Sequence, residues 1–306
     1  MDRNGCSRHA PPRVCIAVLL FGLCTAFARS ADFELPPINS PATTETHPGK
    51  MLWADLVTPD LAAAERFYGG LFGWTFQSVR AGRTNYAVAM LDGRPVAGLL
   101  EKAIPPGARH QSAWLTFLAA SDIDSVKRLA VSHGAKILAD TKNYPMRGRQ
   151  CVLSDPEGAV FALLASSSGD SPDYLPVTGD WIWSSLHVKN AGSEAAFYQN
   201  LFGYDVFDLP SEDGLEHLIL SSDDYARASA NDWARGSARR HPHWLNFVRV
   251  ENTAASTAKV LATGGRVLVQ PRMDRHGGMV AVVADPAGAP FGLMEWTDRD
   301  SKEEPK

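Results

Sequence analysis

One landmark after another recurs in this chain at a single constant offset. Trp53 returns as Trp183, Phe67-Tyr68 as Phe197-Tyr198, and Leu71-Phe72-Gly73 as Leu201-Phe202-Gly203. Trp114 returns as Trp244, Asp155-Pro156 as Asp285-Pro286, Gly158 as Gly288 and Phe161 as Phe291. So constant an offset means two copies of one folded unit, and 306 residues are enough for two domains of ordinary size. Each unit halves again, because the step from Trp53 to Trp114 equals the step from Trp183 to Trp244.

Each half reads as a strand, a helix and three strands. The first helix opens at Thr58-Pro59-Asp60, with a capping hydroxyl and a proline at its first turn. Leu61, Ala64, Tyr68, Leu71 and Phe72 give it an apolar stripe at helical spacing, and Gly73 stops it. The second opens at the capping pattern Ser121-Asp122-Ile123-Asp124, carries Ile123, Val126, Leu129 and Ala130 on one face, and stops at Gly134. Strand-like runs broken by turns such as Asp92-Gly93 and Glu157-Gly158 follow. The pattern predicts an α+β fold of four βαβββ modules, paired into two domains with mixed sheets, cup-shaped concave faces and helices on the outer face.

The segments outside the repeat read differently. Arg3, Arg8 and Arg13 precede an apolar run from Val14 to Ala28 that ends in Ala26-Phe27-Ala28, the pattern of a secretory signal over residues 1–28. The expectation is export to a periplasmic or extracellular location with cleavage after Ala28; lipoprotein processing at Cys24 is disfavoured by Leu23, where a small residue is wanted. The run is short for a transmembrane span. Cleavage leaves 27 basic and 33 acidic residues, which excludes nucleic-acid binding through a basic surface. It also leaves Cys151 as the one cysteine, within an apolar stretch that points to the core. Residues 29–49, rich in Pro, Ser and Thr, read as a flexible leader. Residues 50–166 form domain 1, 167–179 a linker, 180–297 domain 2 and 298–306 a charged tail.

Strand alternation assigns the faces. Leu52, Ala54 and Leu56 are expected beneath the helix, with Trp53, Asp55 and Val57 facing the cup. Ile182, Leu186 and Val188 oppose Trp183, Ser185 and His187 in the same way, and the other two leading strands offer Trp114 with Thr116 and Trp244 with Asn246. Four tryptophans at the mouth, each with a polar group one step deeper, form an expected pocket lining. Arg147 and Arg149 read as surface arginines within reach of an anionic ligand, His241 and His243 as an entry loop, and His276-Gly277-Gly278 as a hairpin turn overhanging a cup.

The stretch from Trp53 to Asp60, with Phe67-Tyr68 and Leu71-Phe72-Gly73-Trp74, resembles the first module of the vicinal-oxygen-chelate superfamily, which includes glyoxalase I, extradiol dioxygenases and bleomycin-type resistance proteins. Asp155-Pro156-Glu157-Gly158-Ala159-Val160-Phe161 and Asp285-Pro286-Ala287-Gly288-Ala289-Pro290-Phe291 resemble its closing strand. The resemblance covers residues 50 to 166 and 180 to 297. It implies metal ligands on the first and last strands of each half. Here those positions map to Trp53, Trp114, Trp183 and Trp244, to Ala162 and Gly292, and to the neighbourhood of Gly98. None of these binds a divalent ion, so no metal or other cofactor is expected unless ligands have relocated, for instance to Asp55, His187 and Glu295.

Two kinds of function follow. The first is a metal-independent protein that stacks a small aromatic or cationic molecule on indole rings, as the resemblance to drug-binding members implies. The second is a glyoxalase-like lyase or dioxygenase-like oxidoreductase with a relocated metal site, or with Asp55 and His187 as acid and base. A non-catalytic interaction module, in which the tryptophans only pack the core, stays open beside them. The partners expected are a small molecule and the chain's own second domain, with a homodimer left open; neither nucleic acid nor a membrane span is expected.

Overall fold

The computed structural model describes residues 34–81, 84–103, 112–211, 214–233, 241–274 and 278–296. The signal segment 1–28, residues 29–33 of the leader, His276-Gly277 and the tail lie outside them. Domain 1 runs β1 (Met51–Thr58), α1 (Leu61–Phe72), β2 (Thr75–Ala81), β3 (Thr84–Leu91), β4 (Arg94–Glu101), then β5 (Ala113–Ala119), α2 (Ile123–Ser132), β6 (Lys136–Tyr144), β7 (Gly148–Ser154) and β8 (Val160–Ser166). Domain 2 repeats it with β9 (Trp181–Val188), α3 (Ala191–Phe202), β10 (Asp205–Asp208), β11 (His217–Ser222), β12 (Tyr225–Asp232), β13 (His243–Arg249), α4 (Thr253–Ala262), β14 (Arg266–Met273), β15 (Met279–Ala284) and β16 (Pro290–Met294). The expected α+β architecture of four modules is the one found.

Each domain is one eight-stranded mixed sheet, ordered β2-β3-β4-β1-β5-β8-β7-β6 in the first and equivalently in the second. The two leading strands of a domain pair antiparallel at its centre, and each is flanked by its module's last strand in parallel. All four helices are capped by a carboxylate or amide. Asp60 accepts from Ala63 N, Asp122 from Asp124 N and Ser125 N, Asn190 from Ser193 N and Asn252 from Ala255 N. The first cap is thus Asp60 rather than the Thr58 hydroxyl, since Asp60 stands immediately before the helix and presents its carboxylate to the free N–H groups. Gly73 ends α1 in the left-handed conformation, as expected.

The helix-bearing faces of the two sheets bury one another. One cluster joins Leu118, Ile123, Phe161 and Leu163 of domain 1 to Leu186, Phe197, Tyr198 and Trp244 of domain 2. A second joins Leu56, Phe67, Tyr68 and Leu99 to Val250, Val260, Phe291 and Leu293. Module 1 therefore packs against module 4, and module 2 against module 3. Tyr68 Oη donates to Asp285 Oδ2 at 3.3 Å, and Tyr198 Oη to Asp155 Oδ2 at 3.2 Å. Cys151 lies in the first cluster, and burial pushes its thiol up to about 11, as suits a core residue.

The leader and linker, which composition marks as flexible, are pinned from residue 39 onward. Thr43 N donates to Ser168 O (2.9 Å), His47 N to Asp170 Oδ2 (2.6 Å), and Lys50 Nζ to Asp173 Oδ1 (2.6 Å). The two segments satisfy each other's backbone groups, which composition alone does not reveal. Among the described residues no helix is long and apolar enough to cross a membrane.

Candidate functional site

The concave face of each sheet forms a cup. In the first, Trp53, Tyr86, Val88, Leu115, Phe117, Ala162 and Leu164 make one apolar cluster. Strand register adds Asp55 and Gly98, which stand opposite each other on β1 and β4. Trp53 Nε1 donates to Asp55 Oδ1 at 2.8 Å, and Tyr86 Oη donates to the same atom at 2.7 Å. Burial raises the Asp55 carboxyl above its ordinary range; the charge of Arg147 and the two hydrogen bonds pull the other way. The glycine is required here, because a Cβ on Gly98 would lie 1.8 Å from Tyr86 Oη and 2.1 Å from Asp55 Oδ1. Arg147, expected at the surface, is 1% exposed and lies over the Trp53 ring at 4.0 Å. Arg149 does face solvent and pairs with Asp124 at 2.8 Å.

In the second cup, Leu245, Phe247, Val280 and Met294 pack with Ile182 and Trp183. Its floor carries a chain of hydrogen bonds. Trp183 Nε1 donates to Ser229 Oγ (3.1 Å), which also accepts from Asn231 Nδ2 (3.0 Å). With both lone pairs used, the Ser229 hydroxyl donates to Ser185 Oγ (3.1 Å), which also accepts from Asn231 Nδ2 (2.8 Å). The Ser185 proton then goes to His187 Nε2 at 3.1 Å. Asn231 Oδ1 faces His217 Nδ1 at 2.9 Å. The chain runs one way from the indole to an imidazole that accepts, and His243 stacks on that imidazole at 5.3 Å.

Four of the nine expected lining residues are elsewhere. Trp53, Asp55, Trp183, Ser185 and His187 face cups, whereas Trp114, Thr116, Trp244 and Asn246 lie on the opposite face, between the domains. Trp114 Nε1 donates to Tyr68 Oη and Trp244 Nε1 to Tyr198 Oη, both at 3.0 Å, and Asn246 Nδ2 donates to Thr116 Oγ1 at 3.0 Å. The equal spacing of the tryptophans is not the module step. The helix caps Asp60 and Asp122, like Asn190 and Asn252, stand one residue further apart than the tryptophans do. The module equivalents of Trp53 and Trp183 are therefore Leu115 and Leu245. A slip of a single position turns every side chain to the other face. A similar irregularity in β1 between Met51 and Trp53 puts Leu52 in the cup cluster rather than beneath the helix.

Asp55 and His187 belong to different cups, and Glu295 is engaged by Thr253 N at 2.5 Å at the start of α4, so these three do not form one site. Among the described residues no three of His, Cys, Asp and Glu gather as metal ligands would. The paired positions at the centre of cup 1 are Asp55, Gly98, Phe117 and Ala162, and in cup 2 Ser185, Ser229, Phe247 and Gly292. A Cβ on Gly292 would meet the Phe247 ring at 2.0 Å. This donor set does not fit the metal that related folds hold. Tyr86, Ser229 and Asn231 are candidate site residues that no sequence motif singles out; alternation along β3 and β12, counted from the repeat, is the signal that finds them.

Comparison with known proteins agrees with this architecture. Residues 50–163 match the family described as Glyoxalase/Bleomycin resistance protein/Dioxygenase superfamily, and residues 183–294 match a Glyoxalase-like domain. The chain is 29% identical over 265 residues to "Putative glyoxylase CFP32" of Mycobacterium bovis, covering 83% of this chain and 98% of that protein. It is 28% identical over 264 residues to "Anthracycline biosynthesis protein DauV" of Streptomyces sp. (strain C5), covering 82% and 95%. Among solved structures, the Mn(II)-bound glyoxalase from Novosphingobium aromaticivorans superposes with a TM-score of 0.57 at 14% identity, covering 82% of this chain and 83% of that one. A variant of homoprotocatechuate 2,3-dioxygenase from B. fuscum gives 0.59 at 12% identity, covering 88% and 77%. With two matched domains in tandem, on the sheets and cups described above, the chain belongs to the glyoxalase/bleomycin resistance/dioxygenase superfamily.

Proposed function

We propose that this is an exported, metal-independent protein that binds a small aromatic or cationic molecule, with the second cup as its open site. The observation that carries this reading is the floor of that cup. Trp183 is half-buried, and its N–H begins a hydrogen-bond chain through Ser229, Ser185 and His187 that fixes polar groups without an ionised pair or a metal donor set. An indole held in this way offers a rigid stacking surface at low entropic cost. Anthracyclines are flat polycyclic aromatics, so the name of the Streptomyces relative is in keeping with such a ligand. A titration of fluorescence against a panel of small planar aromatic and cationic compounds tests the reading. Saturable binding that Trp183→Leu weakens about tenfold or more is expected; equal affinity in the variant refutes it. Elemental analysis after dialysis tests metal independence, and a stoichiometric metal refutes it. Mass spectrometry of the exported chain, expected to begin at Arg29, tests processing.

A second reading has one observation in its favour. His187 Nε2 stands 3.1 Å from Ser185 Oγ, and with the Ser185 proton directed to it the imidazole is a base to that hydroxyl, the group through which it would act on a bound substrate. Turnover of a cup-bound compound that His187→Gln abolishes while binding persists would make the protein an enzyme.

A further inference from the structure

The two cups carry the same indole under different cover. Trp53 is 1% exposed, whereas its counterpart in the repeat, Trp183, is half-buried. Two elements cover the first indole. One is Arg147, whose sequence counterpart is Gly277. The other is the segment that precedes β1. Leu35 and Ile38, each 3% exposed, enter the first cup and join the cluster of Trp53, Tyr86 and Phe117. Between them, Pro36 O accepts from Arg147 Nε at 2.7 Å.

The chain fills this cup imperfectly. Arg147 Nη2 is buried without a hydrogen-bond partner, and so is Gln150 Oε1, which the register of β7 against β8 places on the same face. A buried guanidinium N–H left unpaired is costly. A single backbone carbonyl satisfies one arm of the fork, while a carboxylate or sulfonate satisfies Nε and Nη together. The apolar walls, the indole beneath the guanidinium and the idle Gln150 acceptor describe the remainder of such a ligand: an apolar body with a hydroxyl or amide donor.

We infer that the first cup is a binding site for a small organic acid, and that residues 34–38 are its intramolecular occupant, holding the cup shut until displaced. The segment is divided to suit this role. From Asn39 onward it is fastened to the linker, with Asn39 Nδ2 on Gly169 O (2.8 Å), Thr43 N on Ser168 O (2.9 Å) and His47 N on Asp170 Oδ2 (2.6 Å). Among the described residues, the contacts that hold 34–38 in the cup are the Leu35 and Ile38 side chains and the Pro36 carbonyl. They can leave the cup on a tether that stays in place. The inference rests on reading the chain as a small-molecule binder but concerns the other cup, so the two stand or fall on different variants.

The test uses the full chain and 1-anilinonaphthalene-8-sulfonate, an anionic group on an aromatic body, titrated by calorimetry. The double variant Leu35→Ala/Ile38→Ala is expected to bind one equivalent more than the unaltered chain, at least tenfold tighter than any binding to the closed cup. A synthetic peptide of residues 33–42 is expected to displace that equivalent, and Arg147→Gln in the same background to abolish it. An unchanged stoichiometry with intact circular dichroism overturns the inference, as does an added equivalent that neither the peptide nor Arg147→Gln affects. Hydrogen exchange in the unaltered chain is a check that requires no variant: the Leu35 and Ile38 amides should exchange at least tenfold faster than those of Thr43 and His47. Equal protection means that the segment is structural filling.

Discussion

Glu194 is 1% exposed in the face of α3 that meets domain 1, and its Oε2 has no hydrogen-bond partner. Its carboxyl lies against that of Asp155, which already accepts from Gly158 N and Ala159 N, both at 2.7 Å, and from Tyr198 Oη. The donors around Asp155 favour its charge, so the shared proton belongs on Glu194. Burial first, then the Asp155 charge and bond, push Glu194 up to about 9, and burial pushes Asp155 up to about 6. Both folded values lie above the unfolded ones, so the folded pair holds a proton that the unfolded chain releases. The pair's contribution to stability is therefore full below about pH 4 and falls as pH rises toward 9. One proton corresponds to about 1.4 kcal/mol per pH unit, or roughly 2–3 kcal/mol between pH 6 and 8. Glu194→Gln keeps a donor toward Asp155 and cannot ionise. Urea unfolding at pH 6, 7, 8 and 9 should show that slope in the unaltered chain and most of it gone in the variant, with the two curves crossing toward alkaline pH. The internal control is Ala64, the counterpart of Glu194 in the repeat, beside the otherwise equivalent Tyr68–Asp285 pair. Equal slopes in the two proteins would refute the assignment of the proton to Glu194.

Two further outcomes follow from the geometry. Gly98→Ala drives a methyl into Tyr86 Oη and Asp55 Oδ1 and should cost roughly 1–3 kcal/mol by denaturant unfolding, whereas Gly70→Ala, in a helix with open space around the new Cβ, should gain about 0.5–1 kcal/mol; similar effects at the two sites would contradict the packing described. Trp114→Phe removes the donor to Tyr68 Oη between the domains and should lower stability by roughly 1–3 kcal/mol, while leaving ligand affinity in the second cup unchanged by fluorescence titration.

The fold is legible in the sequence because it is written four times. The constant offset between the two domains and the strand–helix–strand punctuation depend on local patterning that survives in any one module, and the register of each leading strand near its helix follows from alternation. What the sequence conceals is which face of β5 and β13 is concave. Tryptophans at matched spacing suggest a shared role, yet the caps of the helices that follow, Asp60 and Asp122, measure a module step one residue longer. In a strand this single position decides between cup and core, so a large aromatic landmark carries less information about facing than a cap whose backbone geometry is obligatory. The same logic explains Arg147. An arginine beside a glycine turn reads as solvated, and nothing local announces that a segment far earlier in the chain will offer it a carbonyl and send two aliphatic side chains into the same cup. Contacts of that range are decided by the closed cup, not by the pattern of the strand, and the candidate functional residues of this chain lie where such contacts meet: Trp53 under Arg147 in one cup, and Trp183, left half-buried, in the other.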